Sequence, residues 1–122
     1  MRWLVDGMNV IGSRPDGWWR DRRGAMRRLI EELEGFAERT GDEVNVVFDG
    51  RPFALDGDGP VAVAFAPGGR NAADRAIVEW LRVDGAPETV TVVTSDAELE
   101  RDARAAGAEV VGAGAFRARL DG

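Results

Sequence analysis

Four aspartates stand where apolar runs end or a helix begins. Arg2-Trp3-Leu4-Val5 runs into Asp6, Val44-Asn45-Val46-Val47-Phe48 into Asp49, and Val90-Thr91-Val92-Val93-Thr94-Ser95 into Asp96, while Asp74 opens a helical stretch from Arg70 to Arg82. If the runs are neighbouring parallel strands, their C-terminal ends lie side by side and carry these carboxylates to one sheet edge. Carboxylates brought together repel unless a cation or protons neutralise them. An all-oxygen cluster suits Mg2+ or Mn2+, which keep waters and a substrate phosphate as further ligands and serve phosphate chemistry.

Each aspartate also has a plain structural reading. Asp is favoured at helix N-caps and in turns. Asp96, in Thr94-Ser95-Asp96, is placed to cap the next helix; Asp49 before Gly50 can start a turn; Asp74 sits in a first helical turn, where the helix dipole favours a carboxylate. Only the joint pattern points to a ligand.

Composition narrows the chemistry. The 122 residues suit one domain, and a 44% hydrophobic content supplies one core. Histidine, cysteine, tyrosine and lysine are all absent. Disulfides, Cys/His zinc sites, Cys nucleophiles and the Ser-His-Asp triad are therefore excluded. Carboxylates, hydroxyls, arginines and bound metal would have to carry any catalysis. The net charge of −6 argues against broad DNA coating. Arginine is nevertheless concentrated at Arg14, Arg20, Arg22, Arg23, Arg27 and Arg28, and its planar fork suits phosphate. No apolar stretch is long enough to span a bilayer. The first apolar run meets Asp6 at once, so it reads as a strand and not a signal peptide. The expectation is a soluble, cytoplasmic protein.

The elements that must position the acids follow from periodicity. Strands are expected at residues 2–6, 44–48, 61–65, 90–94 and 108–111. Residues 8–13 read as a first helical turn or an ordered loop. A helix is expected from Asp21 to Arg39, because Met26, Leu29, Ile30, Leu33, Phe36 and Ala37 fall on one face. Asn71 reads as the N-cap of a helix through Arg82 whose Ala73, Ile77, Trp80 and Leu81 face the core. Further helices are expected from Ser95 or Asp96 to about Ala106 and from Ala113 to Leu120. Residues 50–60, with three glycines and two prolines, read as a mobile loop. The alternation gives an α/β three-layer sandwich with a mostly parallel central sheet, one domain over residues 1–122. Gly7 reads as the residue that lets the chain turn sharply after the first strand.

Four segments in series resemble the YacP-like group of NYN domains. They are Asp6-Gly7-Met8-Asn9-Val10-Ile11-Gly12, Val46-Val47-Phe48-Asp49-Gly50, Asn71-Ala72-Ala73-Asp74-Arg75, and Val92-Val93-Thr94-Ser95-Asp96 followed by Ala105-Ala106-Gly107-Ala108. The resemblance covers essentially the whole chain. It implies a PIN-like fold and a metal-dependent endoribonuclease. It makes Asp6, Asp74 and Asp96 the catalytic, metal-binding core with Asp49 as a less central metal ligand, and gives Asn9 and Ser95 supporting hydrogen bonds. The chain departs from the family at Ala97 and at Arg75, where a second acid is common; Glu98 is either a replacement carboxylate or a solvated one.

Trp18 and Trp19 lie within the arginine-rich segment. Rings beside arginines suit single-stranded RNA through stacking and phosphate contact. The competing reading anchors one of the two tryptophans on the core and pairs the arginines with Glu31, Glu32 and Glu34. Arg20, Arg22 and Arg23 are the RNA-binding candidates there; Arg70 and Arg75 flank Asp74 and would either clamp a phosphate or neutralise the acids. The expected function is Mg2+- or Mn2+-dependent hydrolysis of RNA, possible also on the ribosome. The alternatives are a non-catalytic RNA-binding or ribosome-associated module, and a phosphatase or DNA-directed 5′ nuclease.

Overall fold

Apolar strands buried on both faces need helices on both sides, and the chain supplies them in alternation. In the computed structural model, residues 1–54, 59–69 and 71–121 are described. The elements are β1 (Arg2–Asp6), α1 (Gly7–Gly12), α2 (Arg22–Thr40), β2 (Glu43–Asp49), β3 (Val61–Ala66), α3 (Ala72–Asp84), β4 (Val90–Val93), α4 (Ala97–Ala105), β5 (Glu109–Val111) and α5 (Ala113–Asp121). Short 3-10 turns occupy Trp18–Arg20 and Pro87–Thr89.

The sheet has the order β3-β2-β1-β4-β5, and each pairing is parallel. The expectation of a mostly parallel sheet is thus met by one that is parallel throughout the described residues. The chain builds outward from β1 through β2 to β3, then returns to the other side of β1 for β4 and β5. Adjacent β1 and β4 therefore flank a topological switch point, where the connections after the two strands leave on opposite sides and open a crevice.

Strand alternation divides the core into two layers. Trp3, Val5, Val44, Val46 and Phe48 pack with α1, α2 and α5; Leu4, Val47, Val90 and Val92 pack with α3 and α4. All six apolar residues expected on one face of α2 are buried. Trp3 is fully buried and meets Phe36 edge-on and Phe116 at a tilt, with ring centroids 5.6 and 5.2 Å away.

Two local expectations change. Gly7 does not need a left-handed backbone; it is the first residue of α1, and a Cβ there would lie 2.5 Å from the Phe48 ring. Close packing of α1 on β2 is what demands glycine. Asn71 does hold the N-cap position of α3, with φ of 63°, but its side chain makes no capping hydrogen bond. The Asp49 carboxylate supplies one instead. Part of the expected mobile loop, residues 55–58, lies outside the described residues. No helix among the described residues is long and apolar enough to cross a membrane.

Candidate active site

Asp6 closes β1 at the switch point. It shares the strand parity of Leu4, so it faces the α3–α4 layer, and it is only 5% exposed. The Thr94 hydroxyl donates to its Oδ2 at 3.0 Å, and the Asn9 backbone N–H also supports it. These bonds do not offset burial. Desolvation, helped by the charges of Asp74 and Asp49, raises the Asp6 pKa to about 7.

Asp74 arrives from the first turn of α3 and is partly buried. Its pKa is also raised, first by burial and then by Asp96, Asp49 and Glu98, while Arg75 opposes the shift. Asp6, Asp49, Asp74 and Asp96 therefore form one connected electrostatic neighbourhood, although they are up to 90 positions apart in sequence.

Two of the four also perform local structural work. Asp49 Oδ1 accepts the Ala73 backbone N–H at 2.9 Å, so the end of β2 caps α3. Asp96 Oδ1 accepts the Leu99 N–H at 2.9 Å and caps α4. Each keeps a second carboxylate oxygen. Among the described residues, no three acidic side chains are gathered closely enough to hold an ion as they stand. The donor set is all oxygen, which fits Mg2+ or Mn2+ and not a softer metal.

The supporting residues act as a latch. Asn9 Oδ1 accepts the Ser95 backbone N–H at 2.8 Å, tying α1 to the β4–α4 turn. Ser95 Oγ accepts the Ala113 N–H at 2.8 Å, tying the same turn to α5. Thr94, absent from the sequence-based site, is 1% exposed and bonds both Asp6 and the Asp96 backbone N–H, the latter at 3.1 Å. Its only sequence signal was a hydroxyl in the last apolar position before Ser95-Asp96.

A cleft of about 590 Å³ opens beside Asp74 between α3 and α4; Asn71, Arg75, Arg82, Glu98 and Asp102 are among its walls. Glu98 is exposed at this cleft, near enough to Asp74 to raise its pKa. Arg75 lines the same wall, whereas Arg70 lies outside the described residues.

The arginine-rich segment is on the other layer. Trp18 is partly buried against the core, while Trp19 is 55% exposed and meets it edge-on at 6.0 Å. One of the two tryptophans, Trp18, thus anchors on the core, as the competing reading has it, and Trp19 is left outside. Arg20 lies over the Trp19 ring, Arg22 over Trp18 and Arg23 over Phe53, at 5.9, 5.8 and 4.7 Å. None of the three makes an ion pair among the described residues, so the expected pairing with Glu31, Glu32 and Glu34 is replaced by cation–π contacts.

Comparison with known proteins places the architecture. Two crystal structures of Rae1 (YacP) from Bacillus subtilis share it. One, a tryptophan-to-leucine mutant, aligns with a TM-score of 0.81 at 25% identity, covering 98% of this chain and 74% of that one. The other aligns with a TM-score of 0.80 at 24% identity, covering 99% and 74%. No curated protein matches the sequence. The family model described as the YacP-like NYN domain matches residues 3–122. With that match spanning nearly the whole chain and the fold shared with YacP structures, this protein belongs to the YacP-like NYN domain family.

Proposed function

We propose that this protein is a Mg2+- or Mn2+-dependent endoribonuclease that hydrolyses RNA phosphodiester bonds at the β1–β4 crevice. The observation that carries this reading is Asp6: a buried carboxyl whose neighbours are further carboxylates, at the switch point of a parallel sheet. A protein retains such a destabilising group where it serves a ligand or a reaction.

Asp6, Asp74 and Asp96 would hold the cation, with Asp49 contributing from beside them. A cation held there would supply positive charge for the scissile phosphate and would activate a water for in-line attack. Thr94 fixes the Asp6 carboxylate, and Asn9 and Ser95 fix the turn that carries Asp96. Arg20, Arg22 and Arg23 would contact the RNA backbone, with Trp19 offering a stacking face; Arg75 would steady a phosphate near Asp74. Arg70 is proposed for the same task from sequence alone.

Replacing both Asp6 and Asp96 by Asn should abolish manganese-dependent cleavage of RNA while the circular dichroism spectrum stays native. Undiminished cleavage by the double variant sinks the reading. Parallel assays on RNA, single-stranded DNA and a small phosphate ester separate a ribonuclease from a DNA nuclease or a phosphatase. One observation favours a second reading, a non-catalytic RNA-binding or ribosome-associated module: Asp49 and Asp96 are engaged as caps and the acids are not drawn into an ion-sized cluster. RNA binding without cleavage under every divalent metal would select it.

A further inference from the structure

Four exposed arginines rest on aromatic rings where α2 begins. Arg20 lies over Trp19 and Arg22 over Trp18, while Arg23 and Arg27 both lie over Phe53, 4.7 and 5.6 Å from its centroid. Phe53 is itself seated on Phe65 of β3, 5.4 Å away, and Phe65 on Phe48 of β2, 5.9 Å away. The Phe53 ring therefore stands on the sheet, and two guanidinium groups cover it from outside.

What these four offer is idle donors more than net charge. Among the described residues none of them makes a side-chain hydrogen bond or an ion pair. Asp21 beside them gives its Oδ1 to the Gly24 N–H, and the glutamates of α2 begin only at Glu31. A guanidinium held against a ring keeps its other face and its N–H edges for a ligand. A nucleobase can stack on that face and a phosphate can take the edges. Buried Arg117 is the opposite case. Its Nε has no hydrogen-bond partner among the described residues, but the residue is 8% exposed and presents no face to a strand.

The cluster stands at the acid edge. α2 ends at Thr40, just before β2 starts beside Arg2, so its Arg22 end lies toward the C-terminal ends of the strands. Phe53 follows Asp49 by four residues, which span at most about 14 Å. On the far side of the acids the α3–α4 cleft has the opposite balance: Asp74, Glu79, Glu98 and Asp102 line it against Arg75 and Arg82. That excess of carboxylate repels a phosphate backbone beyond Arg75. We propose that RNA is held from one side of the acid edge, its strand leaving toward β3 with a base stacked on the Phe53-backed Arg23 and its backbone along Arg27, Arg22 and Arg20. This rests on RNA being the ligand of the protein, and not on its being cleaved.

The test measures binding of a single-stranded RNA oligonucleotide to the whole chain in EDTA, so no metal-dependent cleavage intrudes. Arg23→Lys keeps the charge and loses the planar group. It should bind about tenfold more weakly, with the slope of log affinity against log salt as in the wild type. Arg27→Gln should lower that slope by about 0.7, for one lost phosphate contact. Arg82→Gln, across the acids, should bind as the wild type does. All three side chains are exposed, so the variants keep the fold. Wild-type affinity in Arg23→Lys overturns the stacked base. A loss in Arg82→Gln equal to that in Arg27→Gln overturns the one-sided hold. RNA bound equally by every variant overturns the face and leaves RNA as the ligand, whereas a wild type that binds no RNA removes both. The expected losses in a protein that fails to cut RNA with manganese defeat the catalytic reading and leave this one standing.

Discussion

The two edges of the sheet use aspartate to opposite ends. At the N-terminal edge, Arg2 grips both oxygens of Asp84, at 2.9 and 2.6 Å, and Asp42 takes the Trp3 indole N–H at 3.0 Å and the terminal ammonium at 2.9 Å. Both carboxyls are held below their ordinary pKa, by hydrogen bonds from Arg2 and Trp3 respectively. At the C-terminal edge, Asp6 and Asp74 are pushed the other way, first by burial and then by neighbouring carboxylates, Asp74 and Asp49 for Asp6 and Asp96, Asp49 and Glu98 for Asp74. One residue type thus marks a stabilised edge and an edge that stores repulsion. The second arrangement is what a site for a cation needs, because the ion supplies the missing charge.

The largest effect that would break this contrast is at Asp6. Asp6→Asn should reduce manganese-dependent RNA cleavage by at least about a hundredfold. The same substitution should stabilise the metal-free protein at pH 8, by at most about 4 kcal/mol. The Asp6 carboxyl titrates near 7 when folded against 3.8 otherwise. The folded state therefore holds an extra proton between those values, and that contribution is lost as pH rises through 7. Asp42 and Asp84 act in reverse, contributing above the ordinary carboxylate pKa and losing that contribution as pH falls through their depressed values. Urea unfolding in EDTA at pH 5 and pH 8 checks the sign, with the Asn variant gaining mainly at pH 8.

At the opposite edge, Trp3→Phe should cost about 2 kcal/mol through lost volume and the lost bond to Asp42, measured by denaturant midpoint, with cleavage retained. Asp49 tests where the edges' roles meet. Asp49→Ala should cost about 1 kcal/mol as a lost cap of α3, whereas Asp49→Asn should keep most stability; a collapse of cleavage in the Asn variant would promote Asp49 to an essential ligand. The exposed Glu100–Arg104 pair on α4, 3.2 Å apart, should be worth at most about 0.5 kcal/mol, and Arg104→Ala should leave both edges as they are.

Strand-end acids, helix faces and the order of elements were legible because they follow from local periodicity and from residue types that end strands. The six-residue apolar face of α2 and the capping role of Asp96 needed nothing distant. Asn71 was legible as the N-cap position of α3, but not that its side chain would leave the Ala73 N–H to a carboxylate from β2. Gly7 was legible as a necessity but not for its reason, since Phe48 approaches it from a strand more than thirty residues away. Arg117 gave no signal, as one arginine among sixteen in an unremarkable terminal helix.

By itself the sequence determined which acids end which elements, that the sheet is buried on both faces, and that cysteine and histidine chemistry is closed to this protein. Only the tertiary structure decided that β4 lies beside β1, which puts the Thr94 hydroxyl on Asp6. It also decided that Asp42 and Asp84 find donors while Asp6 and Asp74 are set among further carboxylates, and that the Arg117 nitrogen is left without an acceptor among the described residues. The physical reason is that burial and charge pairing depend on neighbours across the fold, whereas strand and helix patterns depend on neighbours along the chain.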